Sequence, residues 1–219
     1  MTMELPSLDS AAEPGTANRS RLYQLLGMAF AFPDEDFFTA IADGTFAAAV
    51  AATCAGLPYD LGAVPRLDLQ GSAIGYVDFE SEYIRLFDVG AAGPPCPLYG
   101  GVYIGDRMKN MEDATRFYNF FHLRMSPEMH ELPDHVTTEL EFLHYLTFRE
   151  TQLRQQGGDA LSLLRAERDF LARHPCKWLP RMQGRLAKQE CPPFFAALVQ
   201  FAIAFFVADH DYAAAAAGD

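Results

Sequence analysis

Basic residues are scarce in this chain of 219 residues, where 17 lysines and arginines stand against 29 aspartates and glutamates and give a formal charge of −12. A surface this acidic repels phosphate backbones and anionic lipids, so we do not expect nucleic acid to be a partner. The same surface attracts basic partners. Half of the residues are apolar and 13% are aromatic, which excludes a disordered chain.

Paired cysteines are also missing. The four cysteines are scattered along the chain, with no C-x-x-C and no Cys/His pair at zinc spacing. The first 19 residues show no apolar core of a secretory leader. We therefore expect free thiols in a reducing cytoplasm.

No apolar run is as long as the roughly 20 residues that cross a bilayer. The most apolar stretch, residues 194–208, has 15 residues and is interrupted by Gln200. It predicts a buried core helix and no stable membrane insertion.

Alternating strand patterns and internal repeats are absent, and apolar residues recur at helical spacing almost throughout. This pattern predicts an all-α fold, a single-domain bundle of about eight to ten helices. We expect a flexible arm over residues 1–17, the helical domain over 18–212, and a frayed or disordered tail over 213–219. The predicted helices cover residues 19–30, 34–42, 45–55, 72–88, 106–121, 133–156, 159–173, 178–189 and 193–211, with Pro180 among the breaks.

Two of these helices have predicted starts that matter below. Ser72 can act as the N-cap of the helix over 72–88. Pro133 suits the first turn of the long helix, and Asp134 beside it suits the positive end of that helix dipole.

Motifs of enzymes are lacking. The chain has no phosphate-binding glycine loop, no G-x-S-x-G, and no H-E-x-x-H, since "HELPDH" places a proline between its histidines. One Glu-x-x-His, formed by Glu141 and His144, places both side chains on the same side of a helix, but a di-iron site needs two such motifs and two further glutamates. We expect no enzyme activity, no metal and no cofactor. The alternative is a metal-carboxylate oxidoreductase built around Glu141 and His144.

Three carboxylates, Glu80, Glu139 and Glu150, fall close to the apolar faces of their predicted helices. A buried carboxylate needs a partner, or its pKa rises. Two explanations are open at this point. Arg85, Arg149 or backbone donors pair with these groups, or some of the groups face a groove that receives a cationic ligand.

The loop "GPPCPLYGG" over residues 93–101 carries three prolines and no charge. Proline fixes φ, so the loop predicts a stiff rim that loses little entropy on binding. We expect it to present Leu98, Tyr99 and Tyr103 as an apolar surface with one polar group. An aromatic edge beside carboxylates predicts a surface that binds an apolar, basic peptide segment.

Three blocks, "EYIRLF" (82–87), "GPPCPLYGGVY" (93–103) and "LPDHVTTELEFLHYL" (132–146), resemble the TorD/DmsD/NarJ-type chaperones of molybdenum enzymes. The Pro-Cys-Pro-Leu-Tyr segment is similar to that of the chaperones for type II enzymes of the dimethyl sulfoxide reductase family. Their clients act on dimethyl sulfide, ethylbenzene, selenate or chlorate.

The resemblance implies a cytoplasmic, all-α chaperone that is not an enzyme. It implies binding of the apo catalytic subunit of a molybdoenzyme, often through its twin-arginine leader, while the molybdenum cofactor is inserted and export is delayed. A monomer or a dimer with swapped helices is compatible with it. Relatives differ in whether they bind the leader or the mature subunit first.

The resemblance also assigns the leader-binding surface to Leu86, Phe87, Pro97, Tyr99, Asp134 and His135. Tyr99 stands where several relatives carry tryptophan, so we expect a smaller anchor and weaker binding. With the residues that the chain's own pattern adds, the predicted site comprises Tyr83, Leu86, Phe87, Pro97, Leu98, Tyr99, Tyr103, Asp134, His135 and Glu139.

Overall fold

The computed structural model describes residues 14–69, 72–91, 93–125 and 131–218. Within them the chain forms ten α-helices and one π-helical turn, with no strand, which confirms the all-α prediction. The helices are α1 (Pro14–Phe30), α2 (Glu35–Ala42), α3 (Thr45–Ala55), α4 (Tyr76–Tyr83), the π turn (Ile84–Asp88), α5 (Gly101–Ile104), α6 (Arg107–Phe120), α7 (Val136–Gln155), α8 (Leu161–Arg173), α9 (Pro175–Leu186) and α10 (Pro193–Ala217).

Both predicted ends of the helical domain are wrong by several residues. Helix α1 already begins at residue 14, inside the predicted arm, and Thr16 is buried. Helix α10 continues through most of the predicted tail, because alanine favours the helix and Ala213 and Ala217 pack against Leu164 of α8. Residues 1–13 of the predicted arm lie outside the described residues.

Three residues that were predicted to start or to break a helix have other positions in the structure. Helix α4 begins after Gly75, and the Ser72 hydroxyl accepts from the backbone N–H of Ile74 in a turn instead. Helix α7 begins at residue 136 with His135 as its N-cap, so Pro133 precedes the helix. Pro180 lies inside α9, where the buried side chains on both sides of it keep the helix packed.

The core lies between α1 and α7, which pack along each other, and the layer of α8, α9 and α10. It is mainly aromatic. The largest buried apolar side chains are those of Tyr23, Phe30, Phe79, Phe142, Phe170, Trp178, Phe194, Phe195, Phe201, Phe205 and Phe206.

An arginine is fully buried in this core. The Arg19 guanidinium contacts carboxylates of Glu150, Glu167 and Asp209, each at 2.5 Å, and so joins α1 to α7, α8 and α10. Arg154 also pairs with Glu150, at 2.8 Å. Glu150 is therefore buried with two arginine partners, neither of which is the predicted Arg85 or Arg149.

Helix α10 has 25 residues and is apolar enough to cross a membrane by length and composition. Half of its most apolar window is buried inside the bundle, and its Asp209 forms the ion pair with Arg19. This packing is that of a core helix, as the sequence predicts.

Candidate functional site

The three blocks that carry the family resemblance meet in the structure. The backbone N–H of Cys96 donates to the carbonyl oxygen of Leu86, at 2.9 Å. The N–H of Val136 donates to the carbonyl of Leu98, also at 2.9 Å. Residues 93–101 therefore lie between the π turn and the start of α7, fixed by backbone bonds on both sides.

The exposure predicted for this loop is partly wrong. Leu98 and Tyr103 are only 2% and 7% exposed, whereas Pro97 and Tyr99 are half-buried. The difference in burial shows that Leu98 faces the core and Tyr99 faces outward. Tyr103 stacks on Trp178, with ring centroids 5.6 Å apart. The accessible rim consists of prolines and one tyrosine.

Tyr83, Leu86 and Phe87 are buried, which corrects the expectation that they form surface. The Phe87 ring contacts Tyr83 at 5.2 Å and Phe195 of α10 at 5.3 Å. The chain passes through the π turn here, closed by a bond from the Val89 N–H to the Ile84 carbonyl. These buried residues support the loop from its core side.

Asp134 is fully buried, so its carboxylate is not accessible to a leader peptide in this structure. Its Oδ2 accepts from the backbone N–H of Gly101, at 2.8 Å, and from the side-chain amide of Asn110, at 3.3 Å. Its carbonyl accepts from the N–H of Gly100, at 2.9 Å. A Cβ on Gly101 would lie 2.8 Å from Oδ2, so this approach requires glycine. Asp134 joins α5 and α6 to the start of α7.

We expect Asp134→Ala to lower the free energy of unfolding by about 1–3 kcal/mol, because two donors would be left without their acceptor. Urea denaturation measures the loss. Asp88→Ala is the control, because Asp88 is exposed and its removal should change stability by less than about 0.5 kcal/mol. Equal stability of the two variants would contradict the role given to Asp134.

Glu139 is also buried, and it does not face a groove. Its Oε2 accepts from the Trp178 indole N–H, at 2.9 Å, and its Oε1 lies 3.8 Å from the His174 ring. Burial raises the pKa of Glu139 well above its usual value.

Glu80 is half-buried, with the Tyr76 hydroxyl 3.5 Å away.

The accessible features of this region surround Tyr99. Its hydroxyl donates to Glu131 Oε2 at 2.7 Å, its ring packs edge-on against His135 at 4.8 Å, and the Arg107 guanidinium lies 5.6 Å from its centroid. Phe32, which is 52% exposed, packs against Tyr83. We use the name Tyr99 surface for Phe32, Asp88, Pro97, Tyr99, Arg107 and Glu131.

The fixed charges at the Tyr99 surface come mainly from carboxylates. Burial and the bond to Glu131 raise the pKa of Tyr99, with a smaller contribution from Asp88. Burial lowers the pKa of His135, although Glu131, Asp134 and Asp88 oppose the shift. His135 is therefore neutral at pH 7, and its Nδ1 accepts from the Thr137 N–H as the N-cap of α7.

Sequence reasoning missed four members of this surface, Phe32, Asp88, Arg107 and Glu131. Glu131 directly precedes the third block, and Asp88 directly follows the first, so extending each block by one residue would have found both. Phe32 and Arg107 carry no such signal, because only the fold places the end of α1 and the start of α6 beside the loop.

Glu141 and His144, the basis of the metal alternative, face different neighbours. Glu141 lines a small cavity with Tyr118 and Thr138, whereas His144 Nδ1 lies 2.8 Å from the Ser20 hydroxyl of α1. Among the residues that the structure describes, no group of three or more histidine, cysteine or acidic side chains could hold a metal ion. The alternative therefore has no ligand set within them.

The four cysteines are free thiols. Cys96, in the centre of the loop, is buried, and burial raises the pKa of its thiol to about 11. A thiol with this pKa is protonated at neutral pH, so Cys96 lacks the thiolate that a nucleophile needs.

Comparison with known proteins agrees with the resemblance. The family described as nitrate reductase delta subunit matches residues 45–183. The perchlorate reductase assembly chaperone protein of Dechloromonas aromatica (strain RCB) is 32% identical over 195 residues, which cover 85% of this chain and 86% of that protein. The dimethyl sulfide dehydrogenase assembly chaperone protein of Rhodovulum sulfidophilum is 30% identical over 207 residues, which cover 89% of this chain and 79% of that protein.

A third relative, the selenate reductase assembly chaperone protein of Thauera selenatis, is 38% identical over 132 residues, which cover 58% of this chain and 68% of that protein. All three relatives are named as chaperones and none as an enzyme, in agreement with the prediction that the chain is not an enzyme. The chain belongs to the nitrate reductase delta subunit family of TorD/DmsD/NarJ-type molybdoenzyme maturation chaperones.

Proposed function

We propose that the protein is a cytoplasmic chaperone for the apo catalytic subunit of a molybdenum-cofactor oxidoreductase. It binds this subunit and its twin-arginine leader, assists insertion of the cofactor, and delays export until the subunit is folded. Family membership and the names of the relatives support the chaperone class. The Tyr99 surface supports the peptide-binding role.

One observation carries this role: the half-buried Tyr99 ring stands on a proline-fixed loop, with a carboxylate bonded to its hydroxyl and a guanidinium over its face. Arg107 occupies the position that an incoming arginine would take. An aromatic face and a carboxylate together suit a guanidinium, which stacks and forms paired hydrogen bonds. In the bound state, a leader arginine replaces Arg107 beside Tyr99 and pairs with Glu131.

The rest of a twin-arginine leader fits the same surface. A second arginine can pair with Asp88, and the apolar run that follows the arginine pair can cover Phe32 and Pro97, which already expose apolar area. The buried members of the predicted site act indirectly, because they hold the loop in the position that presents Tyr99.

The test is calorimetric titration with a synthetic leader peptide. We expect the double variant Glu131→Gln/Asp88→Asn to weaken binding about fivefold to tenfold, because two partly exposed ion pairs are lost, and the loss should shrink at high salt. Phe32→Ala should weaken binding by a similar factor through lost apolar contact.

Matched controls lie elsewhere on the bundle. Glu112→Gln removes an exposed carboxylate of α6, and Phe120→Ala removes a phenylalanine that is 73% exposed. Both should leave leader affinity unchanged. If the controls weaken binding as much as the Tyr99-surface variants do, or if a peptide with two lysines in place of the arginines binds equally well, the proposed site is wrong.

A further inference from the structure

Helix α9 exposes a row of positive charge on an otherwise acidic protein. Lys177, Arg181 and Arg185 lie on α9 at spacings of four residues, Lys188 follows in the turn after the helix ends at Leu186, and all four are exposed. Residues four apart share one face of a helix, and the three helical cations span about 12 Å. No acidic residue lies within α9. We call these four residues the α9 stripe.

The stripe lacks the partners that other cations of this protein have. Arg85 pairs with Glu82 and Arg173 with Asp113, but within the described part of the chain no carboxylate lies within 4 Å of a stripe cation. Arg181 instead donates to the carbonyl oxygen of Tyr103, at 2.7 Å. The Arg185 guanidinium lies 4.5 Å from the centroid of the Tyr103 ring. Both guanidinium groups are thus ordered by uncharged groups, and their charges are left uncompensated.

The stripe adjoins the loop that carries the Tyr99 surface. Tyr103, which orders Arg181 and Arg185, follows Tyr99 by four residues and is held by a bond from its hydroxyl to the Pro97 carbonyl, at 2.9 Å. The two surfaces have opposite charge. A partner that binds both must offer a basic segment and an acidic segment.

We propose that the α9 stripe binds an acidic helical segment of the client polypeptide. This inference rests on the proposed function, because it takes the occupant of the Tyr99 surface and of the stripe to be the same polypeptide. Three charges along α9, with Lys188 directly after it, match a partner helix with carboxylates at every third or fourth position, whose side chains repeat at the same distance. Planar guanidinium groups such as those of Arg181 and Arg185 bind carboxylates through paired hydrogen bonds.

Charge argues against nucleic acid as the occupant. The protein carries −12, so a densely charged phosphate chain is repelled by most of its surface. A short acidic helix carries fewer charges and contacts only the stripe.

The probe is a synthetic 15-residue helical peptide with glutamate at every fourth position, titrated by fluorescence anisotropy. Lys177→Gln/Lys188→Gln should weaken its binding about fivefold, because two exposed charge pairs are lost, and added Arg181→Gln/Arg185→Gln should weaken it further. The control, Arg116→Gln/Arg149→Gln, makes the same change of charge on α6 and α7 and should leave binding within twofold of the wild type.

A shuffled peptide of equal composition that binds equally well would overturn the proposal. So would a single-stranded 15-nucleotide DNA that binds more tightly through the same four residues, which would assign the stripe to nucleic acid. The twin-arginine leader peptide is titrated in parallel, and the lysine variants should leave its affinity within twofold. If the wild-type protein binds the leader but not the acidic peptide, only the stripe proposal is wrong. If the wild-type protein does not bind the leader, the proposed function is wrong.

Discussion

Arg19→Gln is expected to lower the free energy of unfolding by about 3–5 kcal/mol, as measured by urea denaturation. The substitution removes the charge at the centre of the bundle and leaves the carboxylates of Glu150, Glu167 and Asp209 buried. Breaking a buried ion pair by removing one partner costs this much, because the remaining charge is neither solvated nor paired.

The groups that remain around Arg19 cannot compensate for it. The Tyr23 and Tyr59 hydroxyls each donate to Asp209 at 2.5 Å, and Arg154 pairs with Glu150. Each of these groups therefore contacts only one of the three acids. Glu167 would then keep no described partner. Burial raises the pKa of Glu167, and Arg19 is the group that opposes this rise most strongly, so removing Arg19 removes the main stabilisation of its charged form.

Arg21→Gln provides the matched control, since Arg21 is exposed two residues further along α1. We expect its free energy of unfolding to change by less than about 0.5 kcal/mol. Arg19→Lys should remain destabilising, because one ammonium group cannot make the planar, forked contacts of the guanidinium to three carboxylates. A loss below about 1 kcal/mol for Arg19→Gln would show that the network does not stabilise the fold.

The position of Arg19 also shows where prediction from sequence ends. Helix α3 has the predicted bounds, and α6 differs from its prediction by one residue at each end, because Gly44, Gly56 and Asp106 mark these ends locally. The partners of Arg19 lie between 131 and 190 residues away along the chain. No local spacing indicates such contacts, so the sequence suggested Arg85, Arg149 or backbone donors as possible partners of Glu150 and gave no sign of Arg19.

The candidate site also has features that the sequence indicates locally and features that only the tertiary fold determines. The three blocks identified the family and do meet in space, but composition could show only that the loop is stiff, and not which of its side chains face outward. Leu98 and Tyr103 therefore looked as accessible as Tyr99. Phe32 was missed because it lies 67 residues before Tyr99, and tertiary packing alone brings it to the same surface.

Trp178→Ala is the second change with a large expected effect, about 3–5 kcal/mol in the free energy of unfolding. Trp178 is the only tryptophan in the chain and is fully buried. Its ring supports Tyr103, and its indole N–H donates to Glu139. Removing it leaves a large cavity beneath the loop and a buried carboxyl group without its donor. Circular dichroism during urea denaturation measures the loss, since the variant has no tryptophan fluorescence.

Trp178→Phe separates the hydrogen bond from the packing. Phenylalanine fills much of the same volume but cannot donate to Glu139, so we expect a smaller loss of about 1–3 kcal/mol. If that loss comes from the buried carboxyl group, Glu139→Leu in the same chain should recover part of it, because replacing both partners of a buried hydrogen bond by apolar groups is much less costly than removing one. The single variants Trp178→Phe and Glu139→Leu complete the double-mutant cycle. Additive losses would show that the bond between Trp178 and Glu139 does not stabilise the fold and that Trp178 supports the loop by packing alone.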